Sequence, residues 1–144
     1  MVVCADTSFL FSLYGNDSKS PAALAWTKKN SHPLTISPLN EFELGNAFRC
    51  AIFRKVIQPS HLILYWSLFE ADQAAGKLSK QPSNLGAVLQ VATRLSQTRS
   101  ESGGHRGFDI LHVASALHLG ATHFLSFAIN QNKLAAAEGL QVLP

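Results

Sequence analysis

Acidic residues are scarce in this chain: nine Asp and Glu stand against twelve Lys and Arg, and charged residues make up only 15% of its 144 positions. With 47% hydrophobic residues, so low a charge content excludes an intrinsically disordered protein. Long apolar runs are missing too, and none approaches the roughly 20 residues that span a bilayer. Cysteine occurs twice, too rarely for a disulfide-stapled scaffold. Cys4 falls in an expected buried strand and Cys50 in an expected helix, so two reduced thiols are predicted. The opening Met1-Val2-Val3-Cys4-Ala5-Asp6 lacks the basic segment of a signal peptide, which predicts a cytoplasmic protein. Neither G-x-x-x-x-G-K-[ST] nor G-x-G-x-x-G is present, which argues against a nucleotide-phosphate cradle. There is no internal repeat, low-complexity stretch or polybasic tail.

What is present fits one domain over residues 1–144, long enough to bury a hydrophobic core. The net charge of +3 suits a polyanionic partner. The cations are scattered, however, and a charge of that size also serves solubility alone. Apolar runs predict strands at Val2–Ala5, Leu34–Ser37, His123–Ser126 and Leu140–Leu143, with a short edge strand at Lys77–Gln81. Helical periodicity predicts helices over Phe9–Tyr14, Ser20–Lys29 (Ser20 as N-cap), Leu39–Val56, Pro59 to about Gly76, Asn84–Leu95, Ile110–Leu119 and Gln131–Glu138. In the Leu39–Val56 helix, Phe42, Phe48, Ile52 and Val56 recur at core spacing. The polar stretch Gln97–Gly104 reads as the most loop-like segment. Strands separated by helices predict a mostly parallel sheet of four to five short strands with helices on both faces.

Three of the nine acids occupy unusual places. Asp6 ends the first apolar strand, where open parallel sheets place their ligand crevice. Glu43 lies about one turn into a helix, with Leu39 and Ala47 as its i−4 and i+4 neighbours. Asp109 opens the buried helix between Phe108 and Ile110. An N-cap role accounts equally well for Asp6 and for Asp109. Glu41 competes with Glu43 as the inward acid, since helix boundaries read from sequence are uncertain by about 2–4 residues. Converging carboxylates repel unless a proton or cation lies between them, and oxygen ligands suit Mg²⁺ or Mn²⁺. Physical reasoning from the residues stops at a hard-metal site.

The order and wording of the segments go further. Val2-Val3-Cys4-Ala5-Asp6-Thr7-Ser8-Phe9-Leu10, Ile36-Ser37-Pro38-Leu39-Asn40-Glu41-Phe42-Glu43-Leu44, Phe108-Asp109-Ile110-Leu111-His112-Val113-Ala114-Ser115-Ala116-Leu117 and Gly120-Ala121-Thr122-His123-Phe124-Leu125-Ser126-Phe127 together cover nearly the whole chain. In that order they resemble the PIN domain, and within it the VapC-type toxins of bacterial toxin–antitoxin pairs. The resemblance implies a PIN-like three-layer α/β/α fold and a Mg²⁺- or Mn²⁺-dependent endoribonuclease, with Asp6, Glu43 and Asp109 as metal ligands and catalytic residues. It places the family acid at Glu43, not Glu41. It further implies an RNA substrate, a cognate VapB-type antitoxin that masks the site, and a homodimer. The apolar surface for such contacts is expected on the helix Leu62–Phe69. Thr7 either bonds near the metal or caps the first helix, and capping is the expected role. Arg106, three residues before Asp109, is the candidate phosphate contact.

The chain departs from that family at one point. After the Phe124–Ser126 strand the family places a fourth acid in a Ser/Thr-x-Asp pattern; here the three positions read Ser126-Phe127-Ala128. Asn130, two residues on, is a neutral and weaker ligand. Either this is a natural variant working with three acids, or an acid was replaced to obtain a toxic nuclease in harmless form. Both predict impaired metal binding or catalysis. Of the six histidines, His112 falls within the apolar pattern and is expected in the core or supporting the site. A phosphatase or receiver-like protein would need a second acid beside Asp6 and a late-strand Lys, and has neither. A degenerate PIN module that binds RNA or protein without cutting is the non-enzymatic rival.

Overall fold

The computed structural model describes residues 1–144. Five short strands, β1 (Val3–Ala5), β2 (Leu34–Ile36), β3 (Leu78–Lys80), β4 (His123–Leu125) and β5 (Gln141–Leu143), form one parallel sheet in the order β3-β2-β1-β4-β5. Each connection contains helix: α1 (Thr7–Tyr14) and α2 (Ser20–Lys29) after β1; α3 (Pro38–Phe53) and α4 (Pro59–Ala74) after β2. After β3 come α5 (Leu85–Leu95), a π-helical turn over Ser96–Ser100, the single turn α6 (Glu101–Gly103) and α7 (Gly107–His118); α8 (Ile129–Ala137) joins β4 to β5. The result is the expected three-layer α/β/α architecture, with all five strands parallel.

Side chains alternate across a strand, and the alternation assigns residues to two cores. Val3, Ala5, Leu34, Ile36 and Leu125 face one side, where Phe9 and Leu10 of α1, Leu44 and Phe48 of α3 and Phe69 of α4 cover them. Cys4 and Phe124 face the other side, against Val88 and Leu95 of α5, Val113 and Ala114 of α7 and Leu134 of α8. Both cysteines are free, Cys4 buried and Cys50 exposed, as predicted. Strand order reverses at the centre: β1 leads outward to β2, and β4 pairs on its opposite edge. That reversal opens a crevice at the C-terminal ends of β1 and β4, the place where such sheets bind ligands.

Several local expectations change. Phe42 and Val56 do not join the buried face of the helix that Phe48 belongs to. Phe42 is 63% exposed in the first turns of α3, and Val56 lies beyond its end. Ser20 is the first residue of α2 rather than its cap; Lys19 holds that position without a side-chain bond. The polar segment Gln97–Gly104 is helical as far as Gly103. Arg94 and Arg99 both reach Glu138 at 2.9 Å, and Arg99 also bonds the Ala137 carbonyl at 3.1 Å. Tertiary ion pairs therefore hold in helical form a segment whose composition favours a loop.

Candidate active site

Asp6 is the N-cap of α1: extended at its own backbone, it accepts the Phe9 N–H at 2.9 Å. Ser8 Oγ donates to both carboxylate oxygens, at 2.7 and 2.9 Å, and Ser126 Oγ, just past β4, donates to Oδ2 at 2.5 Å. The carboxylate thus bridges the β1–β4 seam with only 1% of the residue exposed. Burial pushes the Asp6 pKa up, and this outweighs the opposing pull of the bonds from Ser126, Phe9 and Ser8.

Thr7 is not the cap; it is the first residue of α1, and its hydroxyl lies 3.3 Å from His112 Nε2. His112 is 4% exposed and collects the rest of the site. Its Nε2 is 3.0 Å from Glu43 Oε2, and its Nδ1 is 3.4 Å from Asn40 Nδ2. The Asn40 amide orientation is set by Ser37 N–H donating to its Oδ1 at 2.9 Å, and Asn40 Nδ2 also donates to the Ala5 carbonyl at 3.0 Å. With Asn40 as donor, His112 Nδ1 accepts and Nε2–H is left for Glu43. Burial pushes the Glu43 carboxyl up, but the hydrogen bonds from His112 and Thr7 hold it below its usual value.

Glu41, the rival acid, turns away and pairs with Lys80 at 2.8 Å. Asp109 is half-buried in the first turn of α7, one helical turn before His112 on the same face. The N-cap alternative fails for it, because Arg106 holds the cap position and makes no side-chain cap bond. Arg106 itself is exposed. One imidazole therefore draws together the segments bearing all three acids: Asp6-Thr7, Glu43 through its carboxylate, and Asp109-His112 on α7. Ser126 joins Asp6; Ala128 is half-buried at the start of α8, and Asn130 is exposed.

No group of three His, Cys, Asp or Glu side chains converges as a ligand cluster. Asp6 is engaged by hydroxyls and an N–H, and Glu43 by His112 and Thr7. In donor chemistry the three carboxylates nevertheless fit a hard divalent cation, which takes oxygen ligands. A cleft of about 470 Å³ opens beside Glu43, lined also by Thr7, Ser8, Ala128, Lys19 and Arg54 among others, while Asp6 and Asp109 do not line it. A larger cavity of about 570 Å³ lies at the other end of the sheet, beside Leu34 and Leu78 where β2 and β3 begin, and touches none of the three acids. Sequence reasoning missed Ser8 and Asn40. Ser8 repeats the i, i+2 hydroxyl spacing after an N-cap, and Asn40 stands three residues after Ser37 in a capping box.

The fold matches solved structures. The crystal structure of Mycobacterium tuberculosis VapC20, a toxin that cleaves the Sarcin-Ricin loop, superposes with a TM-score of 0.72 over 99% of each chain at 15% identity. The fold is that of a VapC-type PIN domain. The protein PAE2754 from Pyrobaculum aerophilum matches with a TM-score of 0.61 over 99% of this chain and 83% of that one, at 18% identity. At sequence level no protein-family model and no curated protein matches. The PIN fold thus stands on backbone geometry and on the order of its segments. No helix is long and apolar enough to cross a membrane.

Proposed function

We propose that this PIN-fold protein is a metal-dependent endoribonuclease, the toxin of a type II toxin–antitoxin pair. The observation that carries the reading is the convergence of the Asp6, Glu43 and Asp109 segments on His112 at the β1–β4 crevice. Asp6, Glu43 and Asp109 would hold Mg²⁺ or Mn²⁺. Such an ion, when bound, lowers the pKa of a water and offsets charge developing on a phosphodiester in hydrolysis. The chain's own residues then have separate tasks. Ser126 and Ser8 orient Asp6; His112 and Thr7 orient Glu43. Arg106, exposed at the start of α7, meets a backbone phosphate. A cytoplasmic location and a VapB-type antitoxin belong to the same proposal. The antitoxin, or a second copy in a homodimer, would cover the outer face of α4, where Ile63, Leu64 and Leu68 are exposed.

A second reading, a PIN module that binds without cutting, draws support from Ala128 and from the saturation of Asp6 by protein donors. Replacing Ala128 by Asp separates the two. On the ribonuclease reading, Ala128→Asp tightens Mn²⁺ binding in calorimetry and raises Mn²⁺-dependent RNA cleavage by about tenfold or more, the change expected from one added carboxylate worth ~1.4 kcal/mol. Unchanged Mn²⁺ affinity and no cleavage in either form would sink the enzyme reading and leave the binding module.

A further inference from the structure

Two phenylalanines stand immediately beside the acids in sequence: Phe42 precedes Glu43 and Phe108 precedes Asp109. Neither belongs to a hydrophobic core. Phe42 is 63% exposed and Phe108 42%, yet the two rings stack on each other across α3 and α7, with centroids 6.2 Å apart and planes 25° from parallel. Phe108 also leans on the His112 ring, 6.2 Å away at 51°. An ordered pair of rings held open to water at the rim of a polar site is a binding surface without its ligand, since exposure of that apolar area is unfavourable.

We propose that the Phe42–Phe108 pair is a stacking platform that positions one nucleobase of the substrate beside the acidic site. This inference rests on the ribonuclease reading and deepens it. Phe108 leans on the same His112 ring that bonds Glu43, so a base on the rings lies next to the residue that gathers the acids. The surrounding charge suits a polyanion. Arg106 is exposed two residues before Phe108, Lys19 and Arg54 line the cleft that Glu43 shares with Asp17, and Lys80 neutralises Glu41 beside Phe42. The exposed apolar side chains that suit a protein partner are elsewhere. Phe53 is at the far end of α3, about 16 Å along its axis from Phe42, and Ile63, Leu64 and Leu68 are on α4. Every base offers a π-face, but only when unpaired.

The test is binding of a labelled single-stranded RNA by fluorescence anisotropy in Mn²⁺ buffer, beside an abasic oligonucleotide of the same length and the same sequence as a duplex. Phe42→Ala and Phe108→Ala are each expected to weaken single-strand binding by roughly tenfold, from the usual worth of one base–aromatic stack. Phe42→Tyr and Phe108→Tyr should retain it, and abasic RNA should bind the wild type and all variants alike. High exposure of both side chains keeps the alanine variants folded, which circular dichroism verifies. Alanine variants that bind base-bearing RNA as the wild type does would overturn the platform while leaving the ribonuclease reading intact. Equal loss on abasic RNA, or a changed oligomeric state with RNA affinity kept, overturns it as well. A wild type that binds no RNA removes the ribonuclease reading, and the platform with it.

Discussion

At the seam between β1 and β4, Asp6 is sealed beneath Ser8, Ser126 and the Phe9 N–H, with almost none of its surface in water. Where α3 meets α7, Glu43 keeps 30% of its side chain exposed and is held by His112 and Thr7. Both are carboxylates of one site, and the protein treats them oppositely. Asp6 is a structural joint as much as a candidate ligand, because it caps a helix and ties two strand ends together. Glu43 carries little of the fold and is free to serve a ligand. Burial is the largest influence on both; it prevails in the first, raising its pKa, and in the second it is outweighed by His112 and Thr7 together, which lower it.

The largest effect that tests this contrast is on stability. Asp6→Ala removes the cap and leaves two hydroxyls in the seam without their acceptor, at a cost of about 2 kcal/mol, or roughly 6 °C in melting temperature. Glu43→Ala should cost less than half as much, by denaturant titration of both variants. Equal losses would break the comparison.

A subtler effect is the pH dependence of stability, measured with a chelator present. The folded pKa of Asp6 lies above its unfolded value near 3.9, so the ionised form is a cost to the fold at neutral pH. That cost is relieved as pH falls through the folded pKa towards the unfolded one, so wild type gains on Asp6→Asn under acid. The folded pKa of Glu43 lies below its unfolded value near 4.3, so its contribution is present above that value. It is lost as pH falls further through the folded pKa, and wild type loses ground against Glu43→Gln there. Slopes of the same sign for both pairs would show that the two environments do not differ in kind.

The smallest effect lies outside the site. Glu138, the C-cap of α8, keeps 10% of its side chain exposed and holds both Arg94 and Arg99. Glu138→Gln should cost about 1 kcal/mol and speed amide exchange across Ser96–Gly103, while Mn²⁺ and RNA binding stay as in wild type. Unchanged exchange there would mean that the segment is helical on its own account.

The Gln97–Gly104 segment also shows why some of the fold was hidden in the sequence. Its polar composition is that of a loop, and the acid that organises it lies about 40 positions downstream. The start of α5 at Asn84 was legible because its signal is local, a side chain bonding three residues ahead, whereas β3 is made of poor strand formers and exists through its pairing with β2. Phe42 shows an intermediate case. Its helix was right, but at 3.6 residues per turn Phe42 stands about 200° around from Leu44 and so points away from the buried face that Leu44 and Phe48 form.

The same division holds for the site. Apolar runs, helix periodicity and strand-ending Asp6 determined by themselves a parallel α/β sheet with acids near its crevice, because each is written within a few neighbouring residues. Only the tertiary structure decided that Glu41 pairs with Lys80 while Glu43 meets His112, and that Asp6 is locked by Ser126 from 120 positions away. It also decided that Phe42 and Phe108 face each other in the open. Those facts depend on which side chains the packed sheet and helices bring within bonding distance, and spacing along the chain carries no measure of that.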